Sequence, residues 1–259
     1  MWVFGESFSY HYKKSKYFNH LEDSWVERTG RSLNQEIIPN AKHSITIEYV
    51  FHKFNEQRNN IKENDICIIA LPYIDRRWFF QKHLLKIFYL NDDENEALEN
   101  YKEHLNYFDD LHKVYTINFL YNVNYLTKKL NLHTIVLLSF YDSEEIIEPL
   151  KDEFDSINFS KGTISGITIN ELKKESLNDE TNLWLQKNDP RVNHLCRNNH
   201  ITLSNKIIDN VLHKSAIDLT LGFENNFLDK ILMQDPKFIE DQLFGGIMTR
   251  LQRIKVNRS

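Results

Sequence analysis

Two short runs of continuous apolar residues constrain this chain most: Asp65-Ile66-Cys67-Ile68-Ile69-Ala70-Leu71, closed by Pro72, and Thr134-Ile135-Val136-Leu137-Leu138-Ser139-Phe140. Each is too short for a helix of its own, and both are rich in β-branched residues. A strand that is apolar on both sides must be covered on both faces, which is the situation of a central strand in a parallel sheet. Parallel neighbours need a crossover, usually a helix. The stretch between the runs supplies it, reading as mostly helical over residues 76–89 and, with one break, over residues 94–130. Trp2-Val3-Phe4-Gly5 reads as a first buried strand and residues 36–41 as a second.

The remaining segments alternate with these strands. Leu21, Trp25 and Val26 share one face of a helix over residues 21–29, with Gly30 as its stop. Ser44 is placed to cap a helix reaching about residue 59, striped by Ile47, Val50, Phe51 and Phe54. Residues 144–154 read as helical, 160–169 as a short last strand or an ordered loop, and 171–185 as a polar helix broken by Asn188-Asp189-Pro190-Arg191. Ile201, Leu203, Ile207, Ile208 and Val211 stripe a final helix over 199–212. Strands alternating with long helical stretches predict an α/β fold with a doubly wound parallel sheet. Beyond it, apolar-periodic pieces at 223–233 and 238–251 precede Arg250, Arg253, Lys255 and Arg258. They predict a helical extension over 214–259, packed on the domain or serving as an arm for a protein partner or a second copy of the chain.

Composition removes several classes of function. A chain of 259 residues supports one sizeable core. A net charge of -5 and a pI near 6.1 give no electrostatic footprint for nucleic acid. No window has the length of a membrane span and no basic leader precedes an apolar stretch, so a cytoplasmic location is expected, or a particle assembled in a cytoplasm. The Asn, Lys and Ile bias is that of an AT-rich genome, as in many bacteria and their viruses. Cys67 and Cys196 lie in unrelated contexts and read as buried free thiols. Asn91-Asp92-Asp93-Glu94-Asn95-Glu96 lacks the glycine and closing glutamate of a calcium loop, and no nucleotide or zinc signature is present, so no metal or cofactor is expected. The Tyr and Phe residues of 101–125 recur at helical spacing and read as core rather than as a sugar-stacking platform.

Chemistry enters at Gly5-Glu6-Ser7-Phe8-Ser9. A strand that ends in glycine and presents a serine in a tight turn exposes a hydroxyl for nucleophilic attack, so Ser7 is the candidate nucleophile. His194 lies in Asn193-His194-Leu195-Cys196-Arg197-Asn198-Asn199-His200-Ile201-Thr202-Leu203-Ser204. These two stretches resemble the first and last blocks of the SGNH (GDSL-like) hydrolases, in order and in separation. Asn40-Ala41 through Ser44 is similar to the second block, and residues 65–71 with Arg76 or Arg77 to the third strand and its exit in viral and bacterial members. The resemblance covers about residues 1–213.

That resemblance implies a three-layer α/β/α fold with a mainly parallel five-stranded sheet, and an acyl-enzyme mechanism without cofactor. Ser7 would attack an ester carbonyl and His194 would take its proton. Gly5, Asn40, His43 and Arg76 would bind substrate or stabilise the oxyanion. The chain also departs from the family. Glu6 replaces the first-block aspartate, Lys42 and His43 stand near the oxyanion glycine, and Pro72-Tyr73 replaces the third-block asparagine. Arg191 stands where the family's aspartate precedes the histidine, leaving Asp189 as the candidate orienting carboxylate. The expected function is hydrolysis of an ester, such as an acyl or acetyl group on a carbohydrate or small metabolite. The alternative is a domain whose catalysis has decayed, kept as a structural or binding component, for example of a virus particle.

Overall fold

The computed structural model describes residues 1–9, 24–42, 45–72, 77–81, 84–88, 105–167, 171–173, 195, 197–223 and 227–229. Five strands build the main sheet: β1 (Trp2–Gly5), β2 (Ile38–Ala41), β3 (Ile66–Leu71), β6 (His133–Leu138) and β7 (Ile157–Phe159). Their order is β2-β1-β3-β6-β7 and every pairing is parallel. The helices are α1 (Trp25–Ser32), α2 (Ile47–Gln57), α3 (Leu105–Leu130), α4 (Tyr141–Ile147), followed by a 3-10 turn (Glu148–Glu153), and α5 (Arg197–His213).

Strand alternation sends successive side chains to opposite faces and divides the core in two. Trp2, Phe4, Cys67, Ile69, Leu71, Val136 and Leu138 meet Val50 and Phe54 of α2 and Phe119 and Val123 of α3. Val3, Ile66, Ile68, Ala70, Ile135 and Leu137 meet Trp25 and Val26 of α1 and Leu203 and Ile207 of α5. The two continuous apolar runs are therefore central strands covered by helices on both sides, giving the expected three-layer α/β/α sandwich. Burying each such side chain contributes roughly 1.5–3 kcal/mol against the entropy of ordering it.

Four local readings change. Gly30 lies inside α1 rather than ending it, and its missing Cβ leaves the space that Ile37 fills, where a Cβ would fall 2.6 Å from Ile37 Cγ1. Residues 76–89 hold an antiparallel hairpin, β4 (Arg77–Gln81) with β5 (Leu84–Phe88), where a helix was expected. Its Trp78, Phe79, Phe80, Leu85 and Ile87 favour strands once paired. The fifth strand is β7, just ahead of 160–169 where a last strand was one of two readings, and residues 160–167 follow the other reading, a loop with a 3-10 turn at Ser165–Ile167. Within the segments read as a polar helix and a helical extension, Glu171–Lys173 (β8) and Phe227–Asp229 (β9) pair as parallel strands. The rest of those segments, apart from residues 214–223, lies outside the described residues. There Lys161 N–H donates to Ile217 O (2.9 Å) and Leu219 N–H to Lys161 O (2.8 Å), with Ile217 and Leu219 buried in the core.

Candidate functional site

In a sheet of this order the chain winds first one way, from β1 to β2, and then the other, from β3 through β6 to β7. Ligands of open α/β sheets bind outside the carboxyl ends of the strands where that reversal occurs, here between β1 and β3. Ser7 is two residues past the end of β1, half-buried, in a turn closed by Ser9 N–H donating to Glu6 O at 2.9 Å. Among the described residues neither its hydroxyl nor its N–H has a hydrogen-bond partner.

Gly5 sets this position. Its φ is +143°, and a Cβ would fall 2.7 Å from Ala70 O and 2.9 Å from Ala70 Cβ on the adjoining strand. Only a residue without a side chain lets β1 turn out of the sheet so close to β3. Around the turn, Glu6 and Ser9 are fully buried, and Ser139 is buried at the exit of β6. The Ser9 and Ser139 hydroxyls have no hydrogen-bond partner. Phe8 packs on Phe140, ring centroids 5.7 Å apart.

The last of the sequence blocks comes to the same edge. Trp25 Nε1–H donates to Phe8 O (2.8 Å), and Trp25 N–H donates to His200 Nδ1 (3.2 Å), joining the Ser7 turn to the first turns of α1 and α5. Thr29 and Ser204 hydroxyls meet at 3.1 Å one turn further along both helices. Leu195, the neighbour of His194, is buried in the same hydrophobic cluster as Phe8. Asn199 Nδ2 donates to Ile167 O (2.9 Å), tying the start of α5 to the loop after β7. His200 is thus a buried structural acceptor, as its place at the start of the helix implied.

Of the residues singled out in sequence, Ser7, Gly5 and Asn40 lie together on β1, β2 and the turn between β1 and α1, with Gly5 opposite Ala41 and Phe4 opposite Asn40. Asn40 Nδ2 bonds back to Ile38 O at 3.4 Å. His43, Arg76, Asp189 and His194 lie outside the described residues. Lys42 N–H donates to Gly5 O (3.1 Å), so it is committed to closing β1 on β2 rather than to an oxyanion. The donor that the turn offers is Ser7 N–H.

One polar pair has no signal in the sequence. His112 on α3 is 3% exposed, and its Nε2 lies 2.7 Å from Glu48 Oε1 in the first turn of α2. The ring nitrogen and the carboxylate approach closely without in-line hydrogen-bond geometry, and Nδ1 is buried without a partner. Thr46 and Thr116 add two more buried hydroxyls without partners. Burial, the largest influence, pushes the Glu48 carboxyl up, and the His112 ring together with smaller contributions from Thr46 and a backbone N–H outweighs it, holding the group below the ordinary carboxylate range. Residues 48 and 112 meet only through the packing of α2 on α3, so neither stands out in the chain. Among the described residues no His, Cys, Asp or Glu side chains form a metal-like group, and no helix is long and apolar enough to cross a membrane.

No family model matches the chain, and no characterised protein is similar to it in sequence. Among solved structures, the chain is similar to a protein from Desulfitobacterium hafniense DCB-2 assigned to the lipolytic G-D-S-L family, at 14% identity and a TM-score of 0.38, over 82% of this chain and 98% of that one.

Proposed function

We propose that this chain is an SGNH-like serine hydrolase that cleaves an ester through an acyl-enzyme on Ser7. The observation that carries the reading is the position of Ser7: a half-buried hydroxyl without a hydrogen-bond partner among the described residues, in a tight turn at the carboxyl edge where the sheet reverses. Ser7 Oγ attacks the carbonyl carbon, and the proton passes to His194, which Asp189 orients. The negative charge on the carbonyl oxygen is met by Ser7 N–H. The proton then goes to the departing alcohol, and water releases the acid by the same steps in reverse. With Lys42 N–H engaged by Gly5 O, one oxyanion donor of a two-donor site is missing from this strand pair. A missing donor lowers turnover about 100- to 1,000-fold, so a slow esterase is expected.

Hydrolysis of p-nitrophenyl acetate and butyrate tests the reading. Wild-type protein turns over with an acyl-enzyme burst, and Ser7→Ala abolishes the burst while keeping the wild-type melting temperature. An equal rate for Ser7→Ala, or no turnover by the wild type, removes the hydrolase reading and leaves the decayed, binding domain.

A further inference from the structure

At the other edge of the sheet α2 ends and α3 ends, beside the starts of β3 and β6. Between the two helix ends lies a groove of about 440 Å³. This is within the range of ligand pockets, about 300–1,000 Å³. Its floor is apolar, made by Phe54, Ile61, Leu126 and Leu130. One wall carries Asn55, Arg58 and Asn59 from the end of α2, and the other Asn122, Tyr125 and Lys129 from α3.

The charges are unusual for an acidic protein. The chain carries a net charge of -5, yet the groove is lined by two cations and no carboxylate. Among the described residues the Arg58 guanidinium makes no ion pair or hydrogen bond, and the Lys129 ammonium only stands 5.9 Å over the Tyr125 ring. Lys128, next in sequence, is instead neutralised by Asp155 at 2.7 Å. Arg58 at the C-cap of α2 and Lys129 in the last turn of α3 complement the negative ends of those helices, and both line the one groove with donors left over for an anion.

The rest of the lining says what carries that anion. Among the described residues Asn55 and Asn59 have both amide atoms unengaged, and Asn122 Nδ2 only returns to Asn118 O at 2.8 Å. Amides that can donate and accept suit hydroxyl groups, which do both. Tyr125 is 64% exposed, and Tyr121 is 44% exposed one turn before it, so the ring surface expected in the core stands in solvent beside the groove. A pyranose ring has an apolar C–H face and a hydroxyl rim, matching an apolar floor with amides above it. A long acyl chain would leave the amides desolvated and unpaired. We propose that this groove binds an acidic sugar, with Arg58 and Lys129 holding its carboxylate, the three asparagines its hydroxyls, and Tyr125 one face of its ring. The site is separate from Ser7 and does not depend on the hydrolase reading.

Calorimetric titration of the full chain with trigalacturonate, its fully methyl-esterified form and sodium acetate tests this. The acid oligosaccharide binds at least tenfold more tightly than the ester. The exposed Arg58→Gln and Lys129→Gln changes together remove at least tenfold of that affinity without lowering the melting temperature, and Tyr125→Ala weakens the ester and the acid alike. Equal affinity for ester and acid, acetate binding as tightly as the oligosaccharide, unchanged affinity in the double variant, or no heat with trigalacturonate each overturns the proposal. Ser7→Ala leaves this binding unchanged.

Discussion

Gly5→Ala is the substitution whose consequence the structure fixes most closely. The new methyl would lie 2.7 Å from Ala70 O, 2.9 Å from Ala70 Cβ and 3.1 Å from Ser9 Oγ, at a φ of +143°. Two of these contacts are with the adjoining strand, which is hydrogen-bonded to β1 and to β6 and has little room to yield. Holding a non-glycine residue at such a φ costs about 1–3 kcal/mol. Overpacking the methyl costs about 1–3 kcal/mol more. The reduced freedom of the unfolded chain returns about 0.4–1 kcal/mol. The net is a loss of roughly 1–5.5 kcal/mol from a total near 5–15 kcal/mol. Guanidinium unfolding followed by tryptophan fluorescence should show a lower midpoint with an unchanged slope. The Ser7 turn is pushed away with β1, so any esterase activity falls further than stability does. Adding Ala70→Gly removes only the Cβ contact and should restore less than about 1 kcal/mol, because the carbonyl clash and the backbone strain remain and a glycine inside the buried β3 costs roughly 0.5–1 kcal/mol itself. A Gly5→Ala protein within about 0.5 kcal/mol of wild type, or full rescue by Ala70→Gly, would refute the argument.

Two further predictions concern the half-buried Glu48 and the buried Cys67. The Glu48 carboxyl is held below its ordinary value of 4.5, so the folded state binds its proton less readily than the unfolded one. Its contribution is complete above pH about 4.5 and is lost as pH falls through the lower folded value, so Glu48→Gln should flatten the acid limb of a melting temperature against pH curve; an unchanged acid limb would show that the His112 contact does not hold in solution. Burial pushes the Cys67 thiol up to about 12, so peptide mapping should find Cys67 unmodified by iodoacetamide at pH 8 until denaturant is added. Modification in native buffer would place β3 at an accessible edge instead of the sheet centre.

The central strands could be read from the chain because residues 66–71 and 135–138 are apolar on both sides, a pattern that leaves few alternatives. The Ser7 block was legible for the same local reason: a strand, a glycine and a turn are neighbours in sequence. Residues 77–88 were misread because Trp, Phe, Leu and Ile serve a helix face and a strand alike until a partner strand selects one, as Trp78↔Ile87 and Phe80↔Leu85 do here. Gly30 stays inside α1, leaving the space that Ile37 fills, and the position of Ile37 depends on the return of the chain into β2. Tyr115, Tyr121 and Tyr125 of α3 share helical spacing with Phe119, yet Phe119 turns to the sheet and these three face solvent. Spacing gives a face, while the side that is covered is decided by the layer beneath. The Glu48 and His112 pair and the groove between the ends of α2 and α3 exist only once those helices pack side by side.

The account rests on Ser7 being a nucleophile in the folded protein, and active-site labelling tests that most directly. Native protein is incubated with a fluorophosphonate, digested, and its peptides weighed. The account predicts a single adduct on the peptide carrying Ser7, lost on prior unfolding and absent from Ser7→Ala. An adduct on another serine, or no adduct on native protein, would contradict it.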